Sequence, residues 1–340
     1  MQIDLYTVKD ELANKEQLEV FVANHKQGNF FQSPIFFDFI KKVRGYSPFQ
    51  LVAREEGKVV GSLLGVFQSN GGNVKSWFSR RLIVWGGPLL AGTNETQDEL
   101  ALKALLRALK QAAGGKAIFT EFRNFFDMKA YQKTFATEGF EFRPHLNFLV
   151  RTEEEKTVRK RVSNSRLRQI KSSLKLGATV EDASCEREVR AFYDILENLY
   201  RAKVKKPLPG IELFVNFYKT PSICKFFIIK YKDEVVGGIL CPIFKNKVIY
   251  EWYVCGKDGV IKGLHPSVLA TWAPIEYGFR NGYEYFDFMG AGKPDERYGV
   301  REFKARFGGE EVGFGRFYMV MNRSLYHFGR MAMKVYQKIS

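Results

Sequence analysis

Two stretches of the chain repeat one succession of apolar and polar runs. Residues 57–67, GKVVGSLLGVF, and 233–244, DEVVGGILCPIF, each place a charged or glycine turn ahead of a VVG run and a second apolar run. Short apolar runs bounded by turn residues read as buried strands. A strand with aromatics follows in both copies, RLIVWGGPLL at 81–90 and VIYEWYVCG at 248–256. A glycine-containing loop and a long amphipathic helix come next, over roughly 97–113 and 266–281. Pro266 suits a first helical turn, where its missing amide costs nothing. Each helix stops at glycine and gives way to a buried strand, KAIFTEF at 116–122 and YEYFDFM at 283–289. Val59 maps onto Val235 and Ile118 onto Tyr285 at nearly one offset. Four elements in one order predict a duplicated α/β unit with mixed sheets: two similar domains packed together with a cleft between them. The period is too long for a solenoid.

Charge adds a partner class to this picture. The 340 residues carry 53 Lys and Arg against 37 Asp and Glu, a net charge of +16. Such a balance favours nucleic acid, a phosphorylated substrate or an anionic membrane surface. The basic residues cluster twice. TEEEKTVRKRVSNSRLRQIKSSLKLG, 152–177, reads as two helices broken at Ser163-Asn164, with Glu early and Lys and Arg late, as the helix dipole prefers. YRAKVKKPLP, with Arg201, Lys203, Lys205 and Lys206, reads as an ordered loop because of Pro207 and Pro209. Both clusters suit phosphate contact or a solvated face equally.

Several chemistries are missing from the sequence. There is no GxSxG, no Walker loop and no GxGxxG after a strand. The four cysteines form no CxxC, and Cys224, Cys241 and Cys255 fall in apolar runs, so buried reduced thiols are expected. The four histidines are scattered, without metal-ligand spacing. The N-terminus is charged from residue four and does not read as a signal peptide. The longest apolar runs fall short of a membrane span. The chain therefore reads as a soluble cytoplasmic protein. Glu121 and Asp287, on the strands after the long helices, are candidate bases or simple partners of nearby cations.

One stretch poses a chemical question. In VREFKARFGG, a short helix stopped by Gly308-Gly309, Val300, Phe303, Lys304 and Phe307 share one stripe at i, i+3, i+4 and i+7. One of the four stripe positions holds a lysine. It is either a snorkelling lysine, stem buried and head in water, or a cation fixed in a partly dry site.

The strand–strand–helix–strand unit resembles the GNAT acyltransferase core. Two such units, with FFQSPIFFDFIKKV, LIVWGGPLL, SNSRLRQIKSSLKLG, KKPLPGIELF, GYEYFDFMG and EFKARFG in order, resemble the FemABX family over nearly the whole chain. That resemblance implies two tandem GNAT-like domains, 1–148 and 149–316, with a C-terminal tail, 317–340, returning to the first. It implies transfer of an amino acid from aminoacyl-tRNA to an amine of a UDP-linked or lipid-linked muropeptide in peptidoglycan synthesis, without cofactor or metal. The family's Phe-Lys pair falls on Phe303 and Lys304, beside the reacting carbonyl, where a fixed cation stabilises the oxyanion. The family's basic residue before proline, an arginine in the better-known members, falls on Lys206, next to Lys205; lysine keeps the charge but not the bidentate fork. A first-domain lysine falls on Lys41 or Lys42, and a strand aromatic on Tyr253. The aminoacyl ester is already activated, so no protein nucleophile is required.

Two other functions compete. A CoA-dependent N-acyltransferase would hold pyrophosphate at a glycine loop before a helix, but GKDGVIKGLHPS misses that pattern. A non-catalytic RNA- or membrane-binding module is the other. The tail NRSLYHFGRMAMKVYQKIS is basic and amphipathic, with Leu325, Phe328 and Met331 or Met333 on one side, and suits docking on the first domain or contact with the inner face of an anionic membrane.

Overall fold

The computed structural model describes all residues except 13, 70–79, 93, 245, 330 and 332–340. The chain divides into two compact units, Met1–Pro144 joined by the chain from Phe314 onward, and His145–Gly313. The expected boundaries at 148/149 and 316/317 differ by a few residues. Asn147 and Phe148 already pair in the second sheet, and Arg316 already pairs in the first.

In the first unit β1 (Gln2–Tyr6), β2 (Tyr46–Glu55), β3 (Lys58–Gln68) and β4 (Arg81–Trp85) lie side by side and antiparallel. β5 (Leu89–Leu90) rejoins β3, and β6 (Phe119–Arg123) runs parallel to β4. The connection is the 95–113 helix, capped by the Asn94 side chain on Thr96 N at 2.9 Å. Ala101, Leu102, Leu105, Leu106 and Leu109 are buried along its inner face. Each buried leucine contributes on the order of 2 kcal/mol.

The second unit repeats this plan. β8 (Asn147–Arg151), β10 (Cys224–Tyr231), β11 (Glu234–Phe244), β12 (Val248–Tyr250), β13 (Tyr253–Gly256) and β14 (Tyr285–Asp287) form its sheet with β9 (Thr179–Asp182) and β15 (Glu310–Val312) at the edges. β12 and β14 are parallel, joined by the Pro266–Arg280 helix. That helix is apolar nearly all round because it packs on β10, β11 and β13 and also against the 155–161 and 164–175 helices. The break foreseen at Ser163-Asn164 is present, with Ser163 Oγ accepting from Arg166 N at 3.4 Å.

The VVG hairpins match closely. Their turns place Glu56-Gly57 at φ 49° and 77°, and Lys232-Asp233 at φ 50° and 63°. Positive φ at both central positions matches the twist of the flanking strands. The 200–206 region departs from expectation: Tyr200–Val204 continue the preceding 186–199 helix as a π-turn before Lys205 enters a left-handed conformation. The prolines stop the helix only after that turn.

The last strand of the first sheet comes from the far end of the chain. β16 (Arg316–Val320) lies between β6 and β7 (Glu141–Arg143), antiparallel to both. Tyr326, just beyond it, sets its ring 6.3 Å from Phe119 and 6.1 Å from Tyr318. The end of the tail, Met333 included, lies outside the described residues.

Candidate functional site

Both sheets are interrupted at the same point. In the first unit the parallel ladder ends where Gly86 N donates to Arg123 O at 2.9 Å, and the chain rejoins β3 only at Leu89. In the second, Glu251 N donates to Asp287 O at 2.8 Å, and the chain rejoins β11 at Tyr253. The expected continuous strands 81–90 and 248–256 are thus each two strands with a break.

The first break is filled by its own chain. Gln32 Nε2 donates to Trp85 O at 2.8 Å and Leu64 O at 3.2 Å, while its Oε1 accepts from Leu64 N at 2.8 Å. Asn29 Nδ2 donates to Gly86 O at 2.7 Å. A Cβ on Gly87 would come 2.5 Å from the Gln32 side chain, so glycine is needed there.

The second break holds charge instead. Glu251, in the place of Gly86, is 6% exposed and Lys304 8%. Lys304 Nζ lies 2.8 Å from Glu251 Oε1. It also donates to Phe288 O and Gly290 O, both at 2.8 Å, and lies 5.2 Å from the Phe288 ring centre. All three N–H donors are therefore occupied. Burial pushes the Glu251 carboxyl up, and the Lys304 charge opposes that shift. Glu251 Oε2 is buried without a partner.

The backbone under Lys304 is unusual. Met289 and Gly290 have φ 56° and 135°. Met289 N donates to Asp287 Oδ1 at 2.6 Å and Gly290 N to Asn147 Oδ1 at 2.7 Å, while Asn147 Nδ2 donates to Asp287 Oδ1 at 2.7 Å. Asp287 is fully buried, and burial pushes its carboxyl up to about 6 despite these bonds and Lys304. Glu121 behaves oppositely. Though only slightly exposed, it is held at about 2 by Arg123 and Arg316, at 2.9 and 2.5 Å. Of the two acids read from the sequence, Glu121 is an ion-pair partner and Asp287 is poised near neutrality.

The predicted stripe is only partly apolar. Lys304 is buried and Phe307 fully so, but Val300 is 42% exposed. Phe303 and Phe307 hold the Arg166 guanidinium, 4.3 and 5.5 Å from their ring centres, and Arg166 Nε is buried without a partner. The Lys304 ammonium faces the Phe288 ring. Tyr253 is half-buried, 5.0 Å from the Phe214 ring and 6.4 Å from Tyr200. Lys205 and Lys206 follow the π-turn that Tyr200 begins; Lys206 is exposed. Lys41 belongs to the first unit, paired with Asp38 at 2.9 Å. Lys304, Phe303, Tyr253, Lys205 and Lys206 thus share one unit, and Lys41 does not. Glu251, Asn147, Phe288 and Arg166 were not singled out as site residues. The signal for Glu251 was a lone acid within the apolar run VIYEWYV.

Three of the four cysteines, Cys224, Cys241 and Cys255, are buried. All four are free thiols, and burial pushes Cys224 up to about 12 and Cys241 and Cys255 upward as well.

Residues 159–304 match the acetyltransferase (GNAT) domain family. No curated protein sequence matches the chain. Among solved structures, FemX superposes with a TM-score of 0.69 at 15% identity, covering 96% of this chain and 99% of FemX. The C-terminal domain of a putative lysylphosphatidylglycerol synthetase from Agrobacterium fabrum gives 0.53 at 13% identity, covering 94% of this chain and 96% of that one. A tandem GNAT protein from the clavulanic acid biosynthesis pathway gives 0.55 at 9% identity, over 94% and 99%. The interrupted sheet occurs in both units, and the unit whose break is lined by Glu251, Asp287 and Lys304 is the one that carries the family match. The chain has a tandem GNAT-like fold, similar to that of FemX, and its second unit carries a match to the acetyltransferase (GNAT) domain.

Proposed function

We propose that the chain transfers an aminoacyl group from aminoacyl-tRNA to an amine of a peptidoglycan-precursor muropeptide, UDP-linked or lipid-linked. The observation that carries this reading is a buried lysine with its counter-ion at the strand break of the GNAT-matched unit. The names of two similar folds, FemX and a lysylphosphatidylglycerol synthetase, support amino-acid transfer.

In the reaction the amine nitrogen attacks the ester carbonyl. A C–N bond forms, the C–O bond to the ribose breaks, and the amine proton passes in net terms to the ribose oxygen. No protein nucleophile takes part. Lys304 stabilises the oxyanion by its charge in a site of low dielectric. A direct N–H to the oxyanion requires Lys304 to release Phe288 O, Gly290 O or Glu251. Phe303 holds the Arg166 guanidinium, Tyr253 presents an aromatic wall, and Lys206, with Lys205, contacts the precursor's phosphates.

The GNAT match also raises acyl-CoA as a donor. The N-terminus of the 266–280 helix would be its phosphate site. There Ser267 N already donates to Asp258 Oδ1 at 3.2 Å. A carboxylate in that place does not fit a pyrophosphate.

A mass-shift assay tests the proposal. The protein receives a UDP-linked or lipid-linked muropeptide with charged total tRNA or with acetyl-CoA, and Lys304→Met runs in parallel. The expected result is a gain of one amino-acid residue that depends on tRNA and falls on the order of a hundredfold or more in the variant. A gain with acetyl-CoA alone moves the reaction to CoA-dependent acylation. No gain in either tube removes the muropeptide assignment.

A further inference from the structure

A second feature of the GNAT-matched unit lies apart from the strand break. At 100° per residue, Lys171 and Lys175 share the solvent face of the 164–175 helix, with Leu174 on one flank and Leu176 on the other. Leu174 is 48% exposed and Leu176 42%. The loop 257–263 is tied to this end of the helix. Ser172 Oγ donates to Gly263 O and His265 N to Ser173 Oγ, both at 2.9 Å. A Cβ on Gly263 would stand 3.3 Å from Leu176. The loop turns through Gly259 and Gly263, at φ 82° and 83°, and holds Val260 out at 74% exposure, with Lys262 also exposed.

Two properties coincide here. Three aliphatic side chains are held in water by ordered backbone, and three lysines around them have no ion-pair partner among the described residues. The loop's one acid, Asp258, accepts from Ser267 N. A single-stranded nucleic acid would be met by lysines with aromatic stacking platforms, and none of these side chains is aromatic. A bilayer rewards both kinds: lysines meet anionic headgroups, and aliphatic tips enter the acyl boundary. The net charge of +16 has the same sign.

We propose that the C-terminal end of the 164–175 helix and the loop 257–263 form a docking surface for an anionic phospholipid bilayer. The proposal stands whether or not the transferred group and acceptor are those named above, since it concerns where the protein works and not what it transfers.

Co-sedimentation with vesicles tests it, using the full chain. One set is phosphatidylcholine alone and the other is phosphatidylcholine mixed with the anionic lipid phosphatidylglycerol. Three proteins are compared: the wild type, Leu174→Ser/Leu176→Ser/Val260→Ser, and Lys171→Glu/Lys175→Glu/Lys262→Glu. All six positions are exposed, and circular dichroism checks that each variant is folded. The expected result is binding of the wild type to anionic vesicles only, reduced at least fivefold by either triple change. Failure of the wild type to bind overturns the proposal. So does an apolar variant that binds like the wild type, which would place membrane contact elsewhere. A lysine variant that loses tRNA in a gel shift but keeps vesicle binding assigns the surface to RNA and overturns it too. The mass-shift assay with a soluble UDP-linked acceptor reports on transfer separately, and both variants should retain it.

Discussion

Lys304 and Glu251 depend on each other. Removing one partner of a buried ion pair leaves an uncompensated charge and costs about 3–5 kcal/mol, whereas replacing both with apolar side chains of similar size is often nearly neutral. Lys304→Met alone should therefore lower unfolding stability by several kcal/mol, and Lys304→Met/Glu251→Leu should recover most of it without recovering transfer. Urea denaturation of the two single variants and the double variant measures the coupling. A double variant no more stable than Lys304→Met would show that the two charges do not sustain each other. Asp287 adds a pH signature. Its carboxyl is raised by burial to about 6 from an ordinary 3.8. The folded chain thus holds this proton more tightly than the unfolded chain does. The contribution to stability is fully present below about pH 4 and is lost as the pH rises to 6, a difference on the order of 3 kcal/mol. Asp287→Asn keeps an acceptor for Met289 N but does not titrate. Its stability should fall less than the wild type's between pH 4 and 6.5 in denaturation curves. Equal slopes would contradict the assignment.

At the scale of elements, the helices and hairpins were legible and the interruptions were not. The 95–113 helix carries apolar periodicity and the Asn94 cap, the 266–280 helix has a proline in its first turn, and glycine follows both, all local signals. The breaks at Gly86 and Glu251 depend on what enters from elsewhere in the chain. Gln32 fills one and Lys304 the other, and neither pairing has a local trace. For the same reason, spacing alone puts Phe303 and Phe307 on the stripe with Lys304 but carries no trace of Arg166 over both rings. Filling the first break is a structural necessity. Gln32→Ala removes the partner of Leu64 N and two donations to carbonyls inside a buried site. It should cost about 2 kcal/mol or more, beyond the loss of packing, because buried polar groups are left unpaired. Urea denaturation checks this; a change within 0.5 kcal/mol, roughly what a surface substitution costs, would mean that the backbone rearranges to satisfy them.

At the scale of the whole molecule, duplication was visible because each copy repeats the order of its elements. What repetition does not show is divergence. One copy has closed its strand break with amide side chains, and the other has lined it with acids and a lysine. The shared order of the central strands, β2-β3-β4-β6 and β10-β11-β12-β14, therefore gives one break that its own chain fills and one that carries a buried charge network. The basic character of the chain was legible from composition, but its placement beside exposed aliphatic residues at 174, 176 and 260 required the fold.

The position of β16 has a consequence for how the chain is made. The first sheet contains a strand, Arg316–Val320, that separates β6 from β7. The second unit is one continuous segment, His145–Gly313. A ribosome delivers every residue of the second unit before it delivers this strand. Until then, β6 and β7 have no strand between them to hold them in one sheet. The unit that begins first is completed last, so the chain's own synthesis reverses the order in which its two halves can close.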